Sequence, residues 1–125
     1  MENPDNLKYT KKHEWVKVEG DTALCGVTDK GQQLLKDIVF VELPSPGPVA
    51  KDQPIGSVES VKSVSDFYAP VSGEIVELNK ELENSPDLLN KEPYGRGWVV
   101  KIKLTNKDEL NGLMDKAKYE EFIKA

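Results

Sequence analysis

Apolar and polar positions alternate most cleanly near the end of the chain. Trp98, Val100, Ile102 and Leu104 fall on one face and Lys101 and Lys103 on the other, the two-residue period of a half-buried strand. Shorter runs of the same kind, broken by Gly, Pro and Asn, predict strands at Glu14–Val18, Ala23–Val27, Ile38–Leu43, Ile55–Ser60, Asp66–Ala69, Gly73–Asn79 and Trp98–Leu104. Many short strands at this spacing predict a small sandwich or barrel. Pro44-Ser45-Pro46-Gly47-Pro48 is expected to be a surface loop, because each proline lacks an N–H and fixes φ.

Helical spacing is confined to inserts and the C-terminus. Thr28 or Asp29 can cap a helix running to about Lys36, and Ser85-Pro86 resembles an N-cap followed by proline at the first helical position. From Asp108, apolar residues Leu110, Leu113, Met114 and Ala117 recur at helical spacing until Gly112 and Asp115 suggest a break, so two short helices are expected. Tyr119, Phe122 and Ile123 are expected to dock the second against the sheets. Pro54–Val58 and Pro70–Ile75 echo one another on either side of Lys62, which suggests a sheet pair with approximate two-fold symmetry.

Length and charge narrow the function. The 125 residues, 38% of them hydrophobic, suit one domain, 1–125, with a core at about 9–104 and C-terminal helices at about 106–124. A net charge of -5 argues against a phosphate backbone as partner. No apolar run approaches a membrane span and the first residues lack a signal sequence, so the expectation is a soluble, unsecreted chain without nucleic-acid or membrane partners. His13 and Cys25 are the only residues of their types, which leaves no disulfide and no Cys/His cluster for a metal. Cys25 reads as a small buried strand residue. One His and one Cys, far apart, are also poor material for a catalytic site.

Val58-Glu59-Ser60-Val61-Lys62-Ser63-Val64-Ser65-Asp66 is an alternating strand that changes direction around Val61 and Lys62. Alternation sends Val58 and Ser60 to one side and Glu59 and Val61 to the other, leaving Lys62 to project into water. A lysine there is a poor unaided nucleophile. Read from the residues alone it is either one of 17 solvated Lys and Arg or an anchor whose acylation removes a charge and extends a flexible arm from a turn.

The ordered blocks decide between these. Lys8-Tyr-Thr10, His13-Glu-Trp-Val16, Gly26-Val-Thr-Asp29, Asp37 to Pro44, Glu59-Ser-Val-Lys62-Ser with Asp66, Ala69 to Asn79, Leu88-Leu-Asn90 and Pro93-Tyr-Gly95 with Gly97-Trp98 together resemble the glycine cleavage system H protein over nearly the whole chain. The resemblance implies a mainly β fold, two small antiparallel sheets packed as a flattened barrel-sandwich of the lipoyl/biotinyl-carrier hammerhead type. It carries a short helix in the N-terminal third and C-terminal helices. It further implies a non-catalytic carrier with (R)-lipoic acid amide-linked to Lys62, where Glu59, Ser60, Val61 and Ser63 help a lipoate ligase or lipoyl/octanoyl transferase orient the lysine, or are ordinary hairpin polarity.

The implied partners are glycine decarboxylase (P protein), the tetrahydrofolate-dependent aminomethyltransferase (T protein) and dihydrolipoamide dehydrogenase (L protein). The family folds its loaded arm against its own surface, and for that cleft the resemblance points to Glu14 as holder of the cargo's ammonium, with His13 beside it and Asp66 near the arm's base. On the other reading His13 and Glu14 merely begin a strand whose Trp15 fills the core. Such a chain would work in a bacterial cytoplasm or, as a mature eukaryotic form, in the mitochondrial matrix. A lipoyl domain of a 2-oxo acid dehydrogenase, or an H-like lipoate donor or scaffold, shares the hairpin lysine. A biotin carrier would place methionines beside it, where this chain has Val61 and Ser63. Two departures from the family pattern are expected on the first helix: Lys36 where glycine is usual, and Gly31-Gln-Gln33-Leu34-Leu35 in place of a segment commonly Ala-Gln followed by polar residues.

Overall fold

In the computed structural model, which describes residues 2–124, nine strands form two antiparallel sheets. Met1 and Ala125, the ends of the expected 1–125 domain, lie outside the described residues. The larger sheet has the order β1-β2-β3-β9-β8-β5, built from β1 (Lys8–Tyr9), β2 (Glu14–Glu19), β3 (Thr22–Val27), β9 (Val100–Leu104), β8 (Gly73–Leu78) and β5 (Gly47–Val49). The smaller is β4-β6-β7, from β4 (Ile38–Glu42), β6 (Pro54–Ser60) and β7 (Val64–Tyr68). Alternation explains the packing. Val100, Ile102 and Leu104 of β9 point into the core with Val16, Ala23, Cys25 and Ile75 of the large sheet, against Val41, Val58 and Phe67 of the small one.

α1 (Asp29–Leu35) fills the link from β3 to β4, and Thr28 caps it by accepting the Gly31 N–H at 3.1 Å. A 3-10 helix of six residues (Lys107–Gly112) and α4 (Lys116–Lys124) follow β9, so the break near Gly112 and Asp115 is observed. The C-terminal segment is pinned where Tyr9 and Met114 exchange backbone bonds of 2.8 and 2.9 Å. Behind that pin Tyr119 is fully buried in a second apolar cluster with Leu7, Tyr9 and Trp15. Trp15 crosses its neighbour strand at Gly26, where a Cβ would sit 2.7 Å from the indole ring; only glycine lets the ring lie there.

Several expectations are corrected. The proline-rich segment is not all loop: Gly47–Val49 pairs with β8. β5 is an edge strand, where the missing N–H of Pro48 is tolerated. The echoing segments do not form a pair. Pro54–Val58 belongs to the small sheet and Gly73–Ile75 to the large one, and β6 pairs instead with β4 and β7. The two-residue strand β1 and the one-turn helix α2 (Glu81–Asn84) were not expected. Ser85 and Pro86 shape a turn whose carbonyls receive Leu88 and Leu89 N–H, and the helical turn α3 (Leu88–Lys91) starts only after it. The seventh strand begins at Val100, leaving Trp98 to pack on the second cluster. Tyr119 and Ile123 dock as expected, whereas Phe122 stays 36% exposed with its ring 6.1 Å from His13.

Candidate functional site

Lys62 sits at the tip of the β6–β7 hairpin. The last ladder pair is Glu59 with Val64, and Ser60 N–H then donates to the Ser63 carbonyl at 2.8 Å, leaving Val61 and Lys62 as the two turn residues. Ser60 is buried, and its hydroxyl accepts the Lys62 and Ser63 N–H groups at 3.2 and 3.1 Å while donating to the Ser63 carbonyl at 3.2 Å. One side chain thus satisfies the polar groups of the turn from within. Val61 N–H reaches the Asp37 carbonyl at 3.1 Å, tying the turn to the start of β4. Lys62, Ser63, Val61 and Val64 are all exposed. The result is a buttressed turn with an exposed lysine on it.

Glu14 occupies the opposite environment. It is 3% exposed at the start of β2, held by a tight turn in which Thr10 N–H donates to the Glu14 carbonyl and the Thr10 hydroxyl accepts the Glu14 N–H. Its carboxylate bridges the two sheets: Oε1 accepts from the Thr10 hydroxyl at 3.1 Å and Oε2 from the Tyr68 N–H of β7 at 2.9 Å. Burial pushes its pKa up to about 7, against the pull of the Tyr68 and Thr10 bonds and of Lys12.

His13, at φ 66, has its pKa lowered by burial and by Lys30. Its Nδ1 lies 2.8 Å from the Tyr119 hydroxyl. His13, Glu14 and Asp66 line one cleft of about 50 Å³ together with Gly31 and Leu35 of α1 and with Val58, Ser65 and Phe67 of the small sheet. The Val58–Ser65 rung of that cleft is the second ladder pair from the hairpin tip that carries Lys62.

Sequence and structure of known proteins place this arrangement. The family described as "Glycine cleavage H-protein" matches residues 7–125. The glycine cleavage system H protein of Brevibacillus brevis is 52% identical over 125 residues, covering 99% of each chain. That of Halothermothrix orenii is 54% identical over 124 residues, 98% of this chain and 97% of the relative. The chain belongs to the glycine cleavage H-protein family. A crystal structure of a glycine cleavage system H protein from Mycobacterium marinum superposes with a TM-score of 0.88 at 33% identity, over 98% of this chain and all of that one. The expected two-sheet, mainly β fold with helices is therefore the family's fold. The family consists of lipoyl carriers, not enzymes.

Within this H-protein fold the residues singled out separate into two groups. Glu59, Ser60, Val61, Lys62 and Ser63 form the hairpin end, and His13, Glu14 and Asp66 share the cleft. Sequence reasoning missed Thr10, the Tyr68 N–H and Tyr119. Thr10 could have been found, since it stands one turn before Glu14 in a block already matched. Tyr119 lies 106 residues from His13, and no local pattern signals that contact. Both departures from the family pattern have physical content. A Cβ on Gly31 would meet Val27 Cγ1 at 2.7 Å and His13 Cβ at 3.1 Å, so glycine lets α1 sit close over His13. Lys36 adopts φ 69 and ψ -144, a conformation that favours glycine.

Proposed function

We propose that this protein is the lipoyl carrier of a glycine cleavage system, with (R)-lipoic acid in amide linkage to Lys62 Nζ. What carries the reading is the hairpin: an exposed lysine on a turn that Ser60 staples from inside, in a chain half identical to H proteins from end to end. The lysine amine is open to a lipoate ligase or lipoyl/octanoyl transferase, and amide formation removes its charge. When attached, the dithiolane supplies the redox and aminomethyl-accepting chemistry between glycine decarboxylase, the tetrahydrofolate-dependent aminomethyltransferase and dihydrolipoamide dehydrogenase. The rigid turn keeps the arm's base in place, and tethering turns encounters with three enzymes into reactions of one carried group.

The cleft suits the other half of the task. Glu14 presents a buried carboxylate toward a cationic cargo, where a charge-assisted bond is strong. Asp66 adds an acid on the β7 side. At about 50 Å³ the cleft has room for one or two waters, so α1 and the β6–β7 edge must part to admit the arm's end. Excluding water from the cargo would slow its loss as formaldehyde. His13 needs no acid–base role in this scheme.

The test uses intact mass and exchange kinetics. Lipoylated protein should support glycine-dependent carbon dioxide exchange by glycine decarboxylase, and Lys62→Ala should take up no lipoate while keeping its fold. Lipoylation persisting on Lys62→Ala would refute the attachment site. A lipoylated protein inert with a competent decarboxylase would favour an H-like lipoate donor or scaffold.

A further inference from the structure

The hydrogen bonds that tie the C-terminal helix to the cleft run through the Tyr119 hydroxyl. Tyr119 of α4 is fully buried, stacked on Tyr9 at 4.6 Å between centroids and 7° between planes. Its hydroxyl lies 2.7 Å from Thr28 Oγ1 and 2.8 Å from His13 Nδ1. Thr28 caps α1, whose Gly31 and Leu35 line the cleft, and His13 lines it as well. The His13 carbonyl also accepts the Thr28 N–H at 3.0 Å. Tyr119 therefore links the cap of α1 to His13 through one hydroxyl.

Proton counting gives the chain a direction. Thr28 is fully buried, and its oxygen already accepts the Gly31 N–H. Its own proton then has one partner among the described residues, the Tyr119 oxygen. Tyr119 in turn donates to His13 Nδ1. The reverse order would leave the buried Thr28 hydroxyl proton without an acceptor among the described residues, which burial penalises. Nδ1 as acceptor leaves the proton on Nε2 and the ring neutral. Burial and the nearby Lys30 lower the His13 pKa in the same sense.

We infer that Tyr119 is a positioning residue of the cargo cleft: its hydroxyl fixes the first turn of α1 against His13 and holds His13 as the neutral Nε2–H tautomer. This rests on the carrier reading, in which the cleft shelters a cationic cargo. A neutral imidazole leaves the carboxylates of Glu14 and Asp66 to that cargo, whereas an imidazolium in the same cleft would compete for them. The C-terminal helix thereby acts on the arm without touching it.

His13 is the only histidine, so its ring nitrogens give one unambiguous set of ¹⁵N signals. The expected spectrum of the full-length lipoylated protein at neutral pH is that of Nε2–H with Nδ1 accepting; an Nδ1–H ring overturns the inference without any variant. Tyr119→Phe keeps the ring stack and deletes the hydroxyl. It should abolish the single-tautomer signature and speed formaldehyde release from protein loaded by glycine decarboxylase about three- to tenfold, the worth of one hydrogen bond. Tyr9→Phe, which loses only its bond to the Pro4 carbonyl, should change neither. Equal release from wild type and Tyr119→Phe, with wild type slower than a free dihydrolipoamide adduct, refutes the Tyr119 role alone. Wild type no slower than the free adduct refutes the sheltering cleft itself, and the tautomer still decides the Tyr119 geometry.

Discussion

Lys62 stands at the tip of the β6–β7 hairpin and Glu14 bonds to the far end of its second strand, and the two solve opposite problems. The lysine hangs outside a turn whose polar groups are closed by Ser60, so nothing around it depends on its side chain. The glutamate is buried and bridges β2 to β7, so its charge state is coupled to the packing of both sheets. A group meant to be modified and carried elsewhere is kept free of structural duty. A group meant to grip must accept desolvation, and with it a cost in stability.

That contrast predicts its largest effect at the tip. Lys62→Ala should eliminate lipoylation altogether while the melting temperature stays within about 1 °C, since an exposed side chain with no partner among the described residues contributes little. A clear loss of stability, measured by calorimetry, would mean the lysine is part of the fold after all.

Glu14 should behave the other way. Its folded pKa of about 7 stands above the ordinary 4.5, so its contribution to stability is fully present below about pH 4.5 and is lost as pH rises through 7. A displacement of that size corresponds to about 3 kcal/mol. Urea titrations of wild type and Glu14→Gln should diverge by up to that amount between pH 4.5 and 8, with wild type losing ground as pH rises. Parallel pH profiles would show that the carboxyl ionises freely. Between the two lies Ser60→Ala, which removes three turn contacts worth together about 1–2 kcal/mol. Amide exchange at Lys62 and Ser63 should accelerate and lipoylation slow several-fold, with the rest of the exchange pattern unchanged.

The same contrast explains what could be read beforehand. The hairpin is local: alternation from Val58 to Asp66 and a direction change at Val61 and Lys62 put every relevant residue within nine positions. The cleft is assembled from the β1–β2 turn, α1, β6 and β7, and tied to α4. Its members were named only through a matched block, and the links among them could not be. Thr28 was legible as a cap because capping is local, but its second bond spans 91 residues. The proline-rich segment was misread for a related reason. Proline excludes a central strand, yet whether a segment lies at an edge is decided by the whole sheet. The missed α2 and β1 are single turns and pairs, too short for any period to show.

The smallest effect expected lies where the cleft wall rejoins the small sheet. Lys36 follows α1 in a conformation costing a non-glycine residue about 1–3 kcal/mol. Two bonds hold it there: its N–H donates to the Gln32 carbonyl at 2.9 Å, and its own carbonyl accepts from Asn90 Nδ2 at 2.8 Å. Asn90 also accepts the Ile38 N–H at 3.0 Å, so one amide fixes both sides of the link between α1 and β4. Glycine at 36 would remove the steric cost and add about 0.5–1 kcal/mol of chain entropy to be lost on folding. Lys36→Gly should therefore raise stability by about 1 kcal/mol, seen as a rise of a few degrees in melting temperature. Because the strain sits at the end of α1 and away from the lysine, lipoylation of Lys62 should be unaffected, which again separates tip from cleft. A variant no more stable than wild type would mean that the backbone at 36 relaxes out of this conformation in solution, and that α1 is held over the cleft by Thr28 and Tyr119 rather than from its C-terminal end.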